Sequence, residues 1–470
     1  MLQTAALLLA ALLWGYCLAS AAFPGAATLL ALLQTNPAES MEYLQTNFTP
    51  LTLLFFALFC CAYAFLLYRL LVKLTLKRCC CQYPVLLLAL GLLLNILAFH
   101  LGTDNFLTNI YREAQTALHS YDNFKEQKEQ RQQALAGLGA LQQTAAPGVY
   151  VLVIGESQNK NHMSAYGYHR DTTPWLTSMR GQKNFFLLQN AYACHSHTVP
   201  VLTYALTAKN QYNTVPLEQA PSIVEVANAA GFHTVWISNQ VRYSAWDTPI
   251  SVIAAQAHQQ YWLNEHLGET TATTQYDLSL VDTVKKLPPA EKMLIVVHLM
   301  GNHGAYDQRY PREFNKWPPA SKSTAAVAEY DNSIFYNDYV MQQLVSYLQQ
   351  LPNFQGLVYF ADHADDVDAG LAHDSSKFTF NMVRIPVYLY FSPAYAKKQP
   401  QLLANLQKHT SAYFTNDLIF DTMVEVLQIP LPNLAAHNSL LNSQYRHTPA
   451  DLKTLYGKKS LTEDSLIRKD

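Results

Sequence analysis

Apolar and polar residues are unevenly distributed along the chain, and the first 103 residues contain three long apolar stretches. Asp, Glu, Lys and Arg are absent from 1–38, 43–68 and 79–103. Because a helix needs about 20 apolar residues to cross a bilayer core of about 30 Å, the pattern predicts spanning helices near 2–22, 51–71 and 84–101. The first stretch lacks the basic start of a signal peptide, so we expect it to be retained as a span.

Basic residues predict the orientation of this membrane part. Arg69, Lys73, Lys77 and Arg78 lie between the second and third predicted spans, and short loops rich in Lys and Arg stay on the cytoplasmic side. We therefore expect everything after 101 to lie outside the cytoplasm. The predicted organisation is a transmembrane domain of about three helices at 1–103, a helical juxtamembrane linker at 104–147 and a large domain outside the cytoplasm at 148–470.

From residue 149 the pattern changes to short apolar runs that alternate with longer amphipathic ones. Apolar runs at 149–155, 233–238, 293–300, 356–361 and 385–392 predict buried strands, and the segments 222–232 and 330–351 predict helices. Strands that are apolar throughout and separated by helices are typical of a mostly parallel sheet with helices on both faces. The predicted fold class is therefore α/β.

Chemically active side chains follow three of these predicted strands. Glu156 follows the first run, His298 follows the residues MLIVV of the third, and Asp362 and His363 follow the fourth. Functional groups gather beyond the carboxyl ends of strands in such sheets, and carboxylate and imidazole groups suit zinc or manganese. The adjacent Asp362 and His363 favour a metal site. Glu156 taken alone also suits a helix cap, and His298 suits a buried core histidine.

Charge and cysteine content narrow the class of protein. The 34 acidic and 32 basic residues give a net charge of −2, so no general basic field indicates a nucleic-acid partner. Of the seven cysteines, only Cys194 lies after residue 101. The predicted soluble domain therefore contains no internal disulfide and depends on its own core for stability.

The segment ACHSHTVPVLTYALT, residues 193–207, places His195, Ser196, His197 and Thr198 directly before a predicted apolar helix. A hydroxyl at a helix start lies near free backbone N–H groups and the positive end of the helix dipole, which would stabilise a phosphate there. The residues alone leave three alternatives open. In the first, Thr198 is a nucleophile. In the second, Thr198 is only a helix cap. In the third, Ser196 is the nucleophile.

Several motifs together resemble those of a known family. VLVIGESQNKNHMSAYGYHRDTTPWL, HLMGNHGAYDQRYP, EYDNSIFYNDYV and FADHADD followed by His373 are similar to the membrane-anchored phosphoethanolamine transferases of Gram-negative bacteria, in the alkaline phosphatase and sulfatase superfamily. The resemblance implies an alkaline phosphatase/sulfatase-like catalytic domain. It also implies a threonine nucleophile four residues after a cysteine, which selects Thr198.

The resemblance further implies a set of site residues. Zinc, or manganese or another divalent cation in its place, would be held by Glu156, Thr198, Asp362 and His363. His303 and His373 would hold the substrate phosphate or a second metal ion.

The implied reaction is transfer of phosphoethanolamine from phosphatidylethanolamine to lipopolysaccharide through a phosphothreonine, with a core sugar favoured over lipid A as acceptor. The implied location is the bacterial inner membrane, as a multi-pass protein with its catalytic domain in the periplasm. We expect a monomer that contacts membrane lipid and binds no nucleic acid.

The chain departs from this family in two respects. The lipid A-modifying branch has several disulfides outside the membrane, including one at the nucleophile loop, whereas Cys194 has no cysteine partner after residue 101. The family usually has five spans, and the pattern here predicts about three.

Three alternatives stay open at this point: a phosphoglycerol transferase, another phosphohydrolase of the superfamily, and a non-enzymatic membrane scaffold. A sulfatase is disfavoured because HSHTV after Cys194 does not match the Cys/Ser-x-Pro-x-Arg pattern of sulfatases.

Overall fold

The computed structural model describes residues 106–136, 145–241, 249–264, 275–321 and 324–467, together with a few single positions between 29 and 93. The chain divides into two compact units, Met1–His119 and Ser120–Asp470. Apart from those single positions, the predicted spans at 2–22, 51–71 and 84–101 lie outside the described residues. In the part of the chain that is described, no helix combines the length and apolar character needed to cross a bilayer.

A seven-stranded sheet forms the centre of the second unit. Its strands are β1 (Gly148–Gly155), β2 (Phe185–Leu187), β4 (His233–Val241), β5 (Gln259–Asn264), β6 (Lys292–His298), β7 (Phe354–Ala361) and β8 (Val387–Phe391). The order across the sheet is β2-β8-β7-β1-β6-β4-β5. The pairs of β1 with β6 and β7 and of β4 with β5 and β6 are parallel, whereas β8 runs antiparallel to β7 and β2. The predicted α/β fold with a mostly parallel sheet is confirmed.

Two small ribbons lie outside this sheet. The strands β3 (Asn190–Tyr192) and β9 (Tyr413–Thr415) pair in parallel, and β10 (Lys453–Thr454) pairs antiparallel with β11 (Lys459–Ser460). The described helices are α1 (Phe106–Glu126), α2 (Lys128–Ala136), α3 (Pro174–Met179), α4 (Thr198–Ala205), α5 (Ile223–Ala229), α6 (Pro249–Ala254), α7 (Leu278–Lys285), α8 (Ala325–Leu348), α9 (Pro393–Lys398), α10 (Pro400–His409) and α11 (Ile419–Val426).

Helices cover both faces of the sheet, which is why β1 is buried along its whole length. On one face, Val151 and Val153 belong to a core that includes apolar residues of α3, α7 and α8. On the other face, the Tyr150 ring meets the edges of the Phe232 and Tyr395 rings at centroid distances of 5.8 and 6.3 Å. Alternate side chains of one strand therefore enter two different layers, as the continuous apolar pattern predicts.

The five strands predicted from the apolar runs are all present, with ends shifted by one to three residues at most positions. The structure adds β2 and β5, which the sequence analysis did not predict. Both lie at edges of the sheet, and β5 is only partly buried, so neither carries the long apolar run of a central strand. The helix predicted at 330–351 begins earlier, at Ala325, and ends at Leu348.

The helix α2, which lies in the predicted linker, belongs to the second unit and is held within it by a buried ion pair. Arg131 is 4% exposed, and its Nε lies 3.1 Å from Oε2 of Glu225 at the start of α5. Its Nη1 donates to the carbonyl oxygen of Phe124 at 2.7 Å, and its guanidinium lies 3.9 Å from the centre of the Phe124 ring. Removing one partner of such a pair leaves a buried charge uncompensated.

Candidate metal centre and nucleophile

The parallel pairing of β1 and β7 brings the first candidate residues together. Gly155 is the register partner of Ala361, so Glu156 and Asp362, the next residues of the two strands, emerge side by side at one edge of the sheet. Both carboxyl groups and the neighbouring His363 are buried, each at 1% exposure or less. This is the strand-end edge at which α/β proteins place functional groups.

The helix α4 brings Thr198 to the same place. Thr198 is the first residue of this helix and His197 is the residue that precedes it as the cap. Oγ1 of Thr198 lies 3.4 Å from Oε2 of Glu156 and 3.4 Å from Nε2 of His363. His363 Nε2 also lies 3.4 Å from Oε1 of Glu156 and 3.5 Å from Oδ2 of Asp362. The structure therefore gathers all four residues that the sequence analysis assigned to the metal.

The hydroxyl of Ser196, the other sequence candidate for the nucleophile, has a different environment. Ser196 is fully buried, and its Oγ makes no hydrogen bond to any of the described residues. Thr198, by contrast, is partly accessible and lies against the carboxylate and imidazole groups. The geometry thus favours Thr198 over Ser196 as the reactive hydroxyl.

One carboxylate oxygen of the group has the environment expected of a metal ligand. Oδ1 of Asp362 accepts hydrogen bonds from the backbone N–H groups of Ser157, at 3.0 Å, and His363, at 2.7 Å. Oδ2 is buried and has no hydrogen-bond partner among the described residues. Burying an ionised oxygen without a partner is costly. The oxygen and nitrogen donors of Glu156, Asp362 and His363 all lie within 4.8 Å of one another, which fits a zinc ion.

The charges of these three groups also fit a cation. Burial favours neutral Glu156, but the hydrogen bond and charge of His363 hold the pKa of Glu156 well below its usual range. Burial and the charge of Glu156 raise the pKa of Asp362 to about 7. Burial disfavours protonated His363, yet Asp362 and Glu156 raise its pKa to about 10. Without a metal ion, the imidazolium of His363 supplies the positive charge that the two carboxylates require. A divalent cation would compete with the proton on the His363 ring.

The turn after β1 holds Glu156 in place. Ser157 has a φ of 55°, the left-handed conformation that residues other than glycine rarely adopt. Its Oγ donates to Oε1 of Glu156 at 2.7 Å, and its carbonyl oxygen accepts from the Tyr330 hydroxyl at 2.6 Å. Such conformations persist where the surrounding contacts enforce them, and they cluster at functional sites.

The two further histidine candidates lie beside this group. Nδ1 of His373 lies 2.8 Å from Oδ1 of Asp365, whose Oδ2 accepts from the Tyr306 hydroxyl at 2.6 Å. The rings of His373 and His363 are 4.5 Å apart, and His363, Asp365 and His373 form a second set of groups with metal-ligand spacing. His303 follows Asn302, whose backbone N–H donates to the carbonyl oxygen of Glu156 at 3.0 Å, and the charge of His303 contributes to the low pKa of Glu156.

Several residues near the centre were missed by the sequence analysis. Asp365 lies in the same FADHADD motif as Asp362, so its position could have suggested a role. Gln240 donates to Oε2 of Glu156 at 3.4 Å, and Asn416 donates to the carbonyl oxygen of Asp362 at 2.7 Å. Neither has a sequence signal, because each comes from a distant part of the chain. His197, to which no role was assigned, lies with its Nε2 2.9 Å from Oγ of Ser375.

His298 does not join the centre through a hydrogen bond. It is 3% exposed, its ring meets the Trp236 ring edge-on at 6.2 Å, and burial lowers its pKa to about 4. It is therefore neutral at physiological pH and buried, as the interpretation of a core histidine predicts, but neither ring nitrogen makes the backbone hydrogen bond expected of such a residue within the described part of the chain.

Comparison with known proteins identifies the family. The sulfatase family model matches residues 149–429. Phosphoethanolamine transferase EptC of Escherichia coli K12 is 28% identical over 470 aligned positions, which cover 93% of this chain and 80% of that protein. The crystal structure of the C-terminal periplasmic domain of E. coli EptC in complex with zinc has a TM-score of 0.62 at 27% identity, covering 68% of this chain and 94% of that chain.

A likeness in fold extends over more of the chain. The integral membrane protein lipooligosaccharide phosphoethanolamine transferase A from Neisseria meningitidis has a TM-score of 0.61 at 17% identity, covering 92% of this chain and 83% of that chain. The chain therefore belongs to the sulfatase family, and a relative that it matches over 93% of its length is named a phosphoethanolamine transferase.

Proposed function

We propose that the chain transfers phosphoethanolamine from phosphatidylethanolamine to lipopolysaccharide, with a core sugar as the acceptor, through a phosphothreonine at Thr198. One observation carries the proposal. The hydroxyl of Thr198 lies at the start of α4 and 3.4 Å from both Glu156 and His363. A hydroxyl in this position is within reach of both the metal ligands and the free N–H groups of the helix.

We assign the metal site to Glu156, Thr198, Asp362 and His363. The buried Asp362 Oδ2, which lacks a hydrogen-bond partner among the described residues, supports a cation at this position. A bound zinc ion would act as a Lewis acid, lowering the pKa of the Thr198 hydroxyl and attracting phosphoryl oxygens. The zinc complex of the EptC domain supports zinc over manganese.

In the first step, Oγ1 of Thr198 attacks the phosphorus atom of the donor. A bond forms between this oxygen and phosphorus, and the bond from phosphorus to the diacylglycerol oxygen breaks. The hydroxyl proton lost by Thr198 is balanced by the proton that diacylglycerol takes up on leaving. The N-terminus of α4 would stabilise the resulting phosphate through its backbone N–H groups.

In the second step, a hydroxyl group of the acceptor attacks the same phosphorus atom and the bond from phosphorus to Oγ1 of Thr198 breaks. The proton lost by the acceptor hydroxyl is balanced by the proton that Thr198 regains. We assign His303 and His373 to the phosphoryl oxygens in both steps, where charge builds up. The contact between Asp365 and Nδ1 of His373 leaves Nε2 as the ring nitrogen available for the substrate. Tyr306 holds Asp365 in turn, so the orientation of the imidazole is set before substrate binds.

We further propose a location in the bacterial inner membrane, with the organisation expected from the sequence: a transmembrane domain at 1–103, a linker at 104–147 and a periplasmic catalytic domain at 148–470. The three long stretches without charged residues support the membrane part, and the basic loop between the second and third predicted spans supports this orientation. An enzyme held at the membrane meets a lipid donor without needing to bind it tightly. We propose that it acts as a monomer.

The donor is tested with the purified full-length chain in detergent micelles that contain phosphatidylethanolamine or phosphatidylglycerol, each labelled in its head group. We expect label on Thr198, located by mass spectrometry of peptides, with phosphatidylethanolamine only. Label from phosphatidylglycerol would instead support the phosphoglycerol transferase alternative.

The acceptor is tested by mass spectrometry of lipopolysaccharide from cells that express the wild-type chain or Thr198→Ala. A phosphoethanolamine on the core oligosaccharide in wild-type cells alone supports the proposal. A phosphoethanolamine on lipid A would show that lipid A, and not a core sugar, is the acceptor. No modification, together with no label on Thr198, would support a scaffold.

A further inference from the structure

The six residues 193–198, here called the nucleophile segment, lead from β3 to Thr198, and a buried asparagine ties them to the metal ligands. Asn416 lies directly after β9 and is fully buried. Its Oδ1 accepts a hydrogen bond from the backbone N–H of Cys194 at 2.9 Å. Its Nδ2 donates to the carbonyl oxygens of Ala361 at 3.2 Å and Asp362 at 2.7 Å. One side chain thus bridges the nucleophile segment and the end of β7.

The pairing of β3 with β9 places Asn416 at this bridge. Tyr192 and Thr415 are register partners at the ends of the two parallel strands, so Asn416 and the nucleophile segment leave the ribbon at the same level. The short helix Asn416–Leu418 then packs against α4. Both the segment and the helix that carries Thr198 therefore rest on the same turn.

Other contacts hold the opposite side of the nucleophile segment. Thr454 Oγ1 donates to the carbonyl oxygen of Ala193 at 2.8 Å, and the backbone N–H of Tyr456 donates to the carbonyl oxygen of Cys194 at 3.4 Å. The Tyr456 hydroxyl donates to the carbonyl oxygen of Pro200 at 3.1 Å. The thiol of Cys194 is buried and free, so these contacts, and not a disulfide, hold the segment.

We propose that Asn416 is a positioning residue, which fixes Thr198 at its distance from Asp362 and His363. An amide side chain carries both an acceptor and two donors, and this bridge uses the acceptor toward the nucleophile segment and the donors toward β7. Without the amide, three buried backbone groups lose their partner, and such groups are costly to leave unpaired. The nucleophile segment can then move relative to the metal ligands, and small displacements of reacting groups cost large factors in rate.

The test compares Asn416→Ala and Asn416→Ser with Asn405→Ala in the full-length chain. Asn405 is a matched control because it is also buried, at 5% exposure, and its Nδ2 donates to a backbone carbonyl, that of Leu441, at 3.0 Å. It lies on α10 and contacts none of the groups at the centre described above. Asn416→Ser keeps a hydroxyl that can make part of the bridge. If Asn416→Ala does not fold, Asn416→Ser is compared with Asn405→Ala in its place.

Two measurements do not depend on the reaction. Hydrogen exchange of peptides that cover 190–197 should become faster in Asn416→Ala, and zinc titration should show affinity reduced by about 10-fold, an effect of the size seen for partners of metal ligands. Asn416→Ser should fall between wild type and Asn416→Ala. Asn405→Ala should change neither quantity, even if it lowers the melting temperature.

The kinetic part rests on the proposed function. With phosphatidylethanolamine as the donor, saturating zinc and a labelled head group, we expect kcat for labelling of Thr198 to fall by about 10²-fold in Asn416→Ala, with KM changed less than about 3-fold. The positioning role would be overturned if Asn416→Ala showed wild-type hydrogen exchange at 190–197 and had the same zinc affinity and kcat as Asn405→Ala. If the wild-type chain labels no Thr198, the proposed function fails, and exchange and zinc affinity still decide the role of Asn416.

Discussion

The hydroxyl oxygen of Thr198 lies 3.4 Å from Nε2 of His363, although 165 residues separate the two along the chain. Thr198 comes to this position on the first turn of α4, and His363 comes on the loop that follows β7. Glu156 completes the contact from the end of β1. The proposed nucleophile therefore faces the proposed metal ligands in the folded chain.

Replacement of Thr198 by alanine should abolish labelling of the chain by the donor and should lower transfer by about 10³-fold or more, because no other residue would replace the nucleophile. The measurement is transfer from head-group-labelled phosphatidylethanolamine. Thr203→Ala is the control, since Thr203 lies on the same helix and its hydroxyl donates to the carbonyl oxygen of Val199 rather than to a group of the centre. Transfer by Thr198→Ala at the control rate would contradict the assignment.

Replacement of Asp362 by asparagine should weaken zinc binding by about 10²-fold or more. The change removes a negative charge and converts one carboxylate oxygen to an amide nitrogen at a group whose buried Oδ2 has no hydrogen-bond partner among the described residues. Even partners of metal ligands contribute about 10- to 100-fold. The measurement is zinc titration of the purified chain after chelator treatment. Asp338→Asn is the control, because both oxygens of buried Asp338 accept backbone N–H groups of α3. Equal zinc affinity in the two variants would argue against a metal at Asp362.

Replacement of Gly301 by alanine should both destabilise the chain and disturb Glu156. Gly301 has a φ of +52°, and an added Cβ would lie 2.9 to 3.0 Å from the backbone O and N and the Cβ of Glu156. The conformation costs about 1–2 kcal/mol for alanine, and crowding adds about 1–3 kcal/mol. The measurements are the free energy of unfolding and zinc affinity.

Gly181→Ala isolates the conformational part of this effect. Gly181 has a φ of +78°, but no atom lies within 4 Å of an added Cβ. This variant should lose about 1–2 kcal/mol and keep its zinc affinity. If Gly301→Ala loses no more stability than Gly181→Ala and binds zinc equally well, the contact with Glu156 is unimportant.

The buried Lys160 should make the free energy of unfolding depend on pH in the alkaline range. Its Nζ donates to the carbonyl oxygen of Gln189 at 2.7 Å, and burial lowers its pKa from 10.5 to about 8. The unfolded chain thus binds more protons than the folded chain between about pH 8 and 10.5, so stability rises with pH in that window. The difference between these two pKa values corresponds to roughly 3 kcal/mol in the free energy of unfolding.

The measurement is urea unfolding of wild type and Lys160→Met between pH 7 and 10.5. Groups other than Lys160 contribute equally to both proteins, so the difference isolates this lysine. Wild type should gain stability relative to Lys160→Met as the pH rises through the window, and it should lose that gain as the pH falls through about 8. A difference that is constant with pH would contradict the low pKa.

Much of the fold could be predicted because its central strands are buried on both faces. The run at 149–155 is apolar throughout, and the structure places a fully buried β1 there. The edge strands β2 and β5 are short or partly exposed, so hydrophobicity alone does not distinguish them from loops. Local sequence pattern therefore predicts the centre of the sheet better than its edges.

The sequence by itself determined which residues follow the strands and which hydroxyl begins α4, because these are local properties of the chain. These local properties indicated Glu156, Asp362 and His363 and left Thr198 and Ser196 open as the nucleophile, and the resemblance of the motifs to a known family then selected Thr198. Only the tertiary structure decided which residues hold that group together. Gln240 lies 84 residues along the chain from its partner Glu156, and Asn416 lies 54 residues from its partner Asp362. Such contacts depend on strand order and register, which no local pattern encodes.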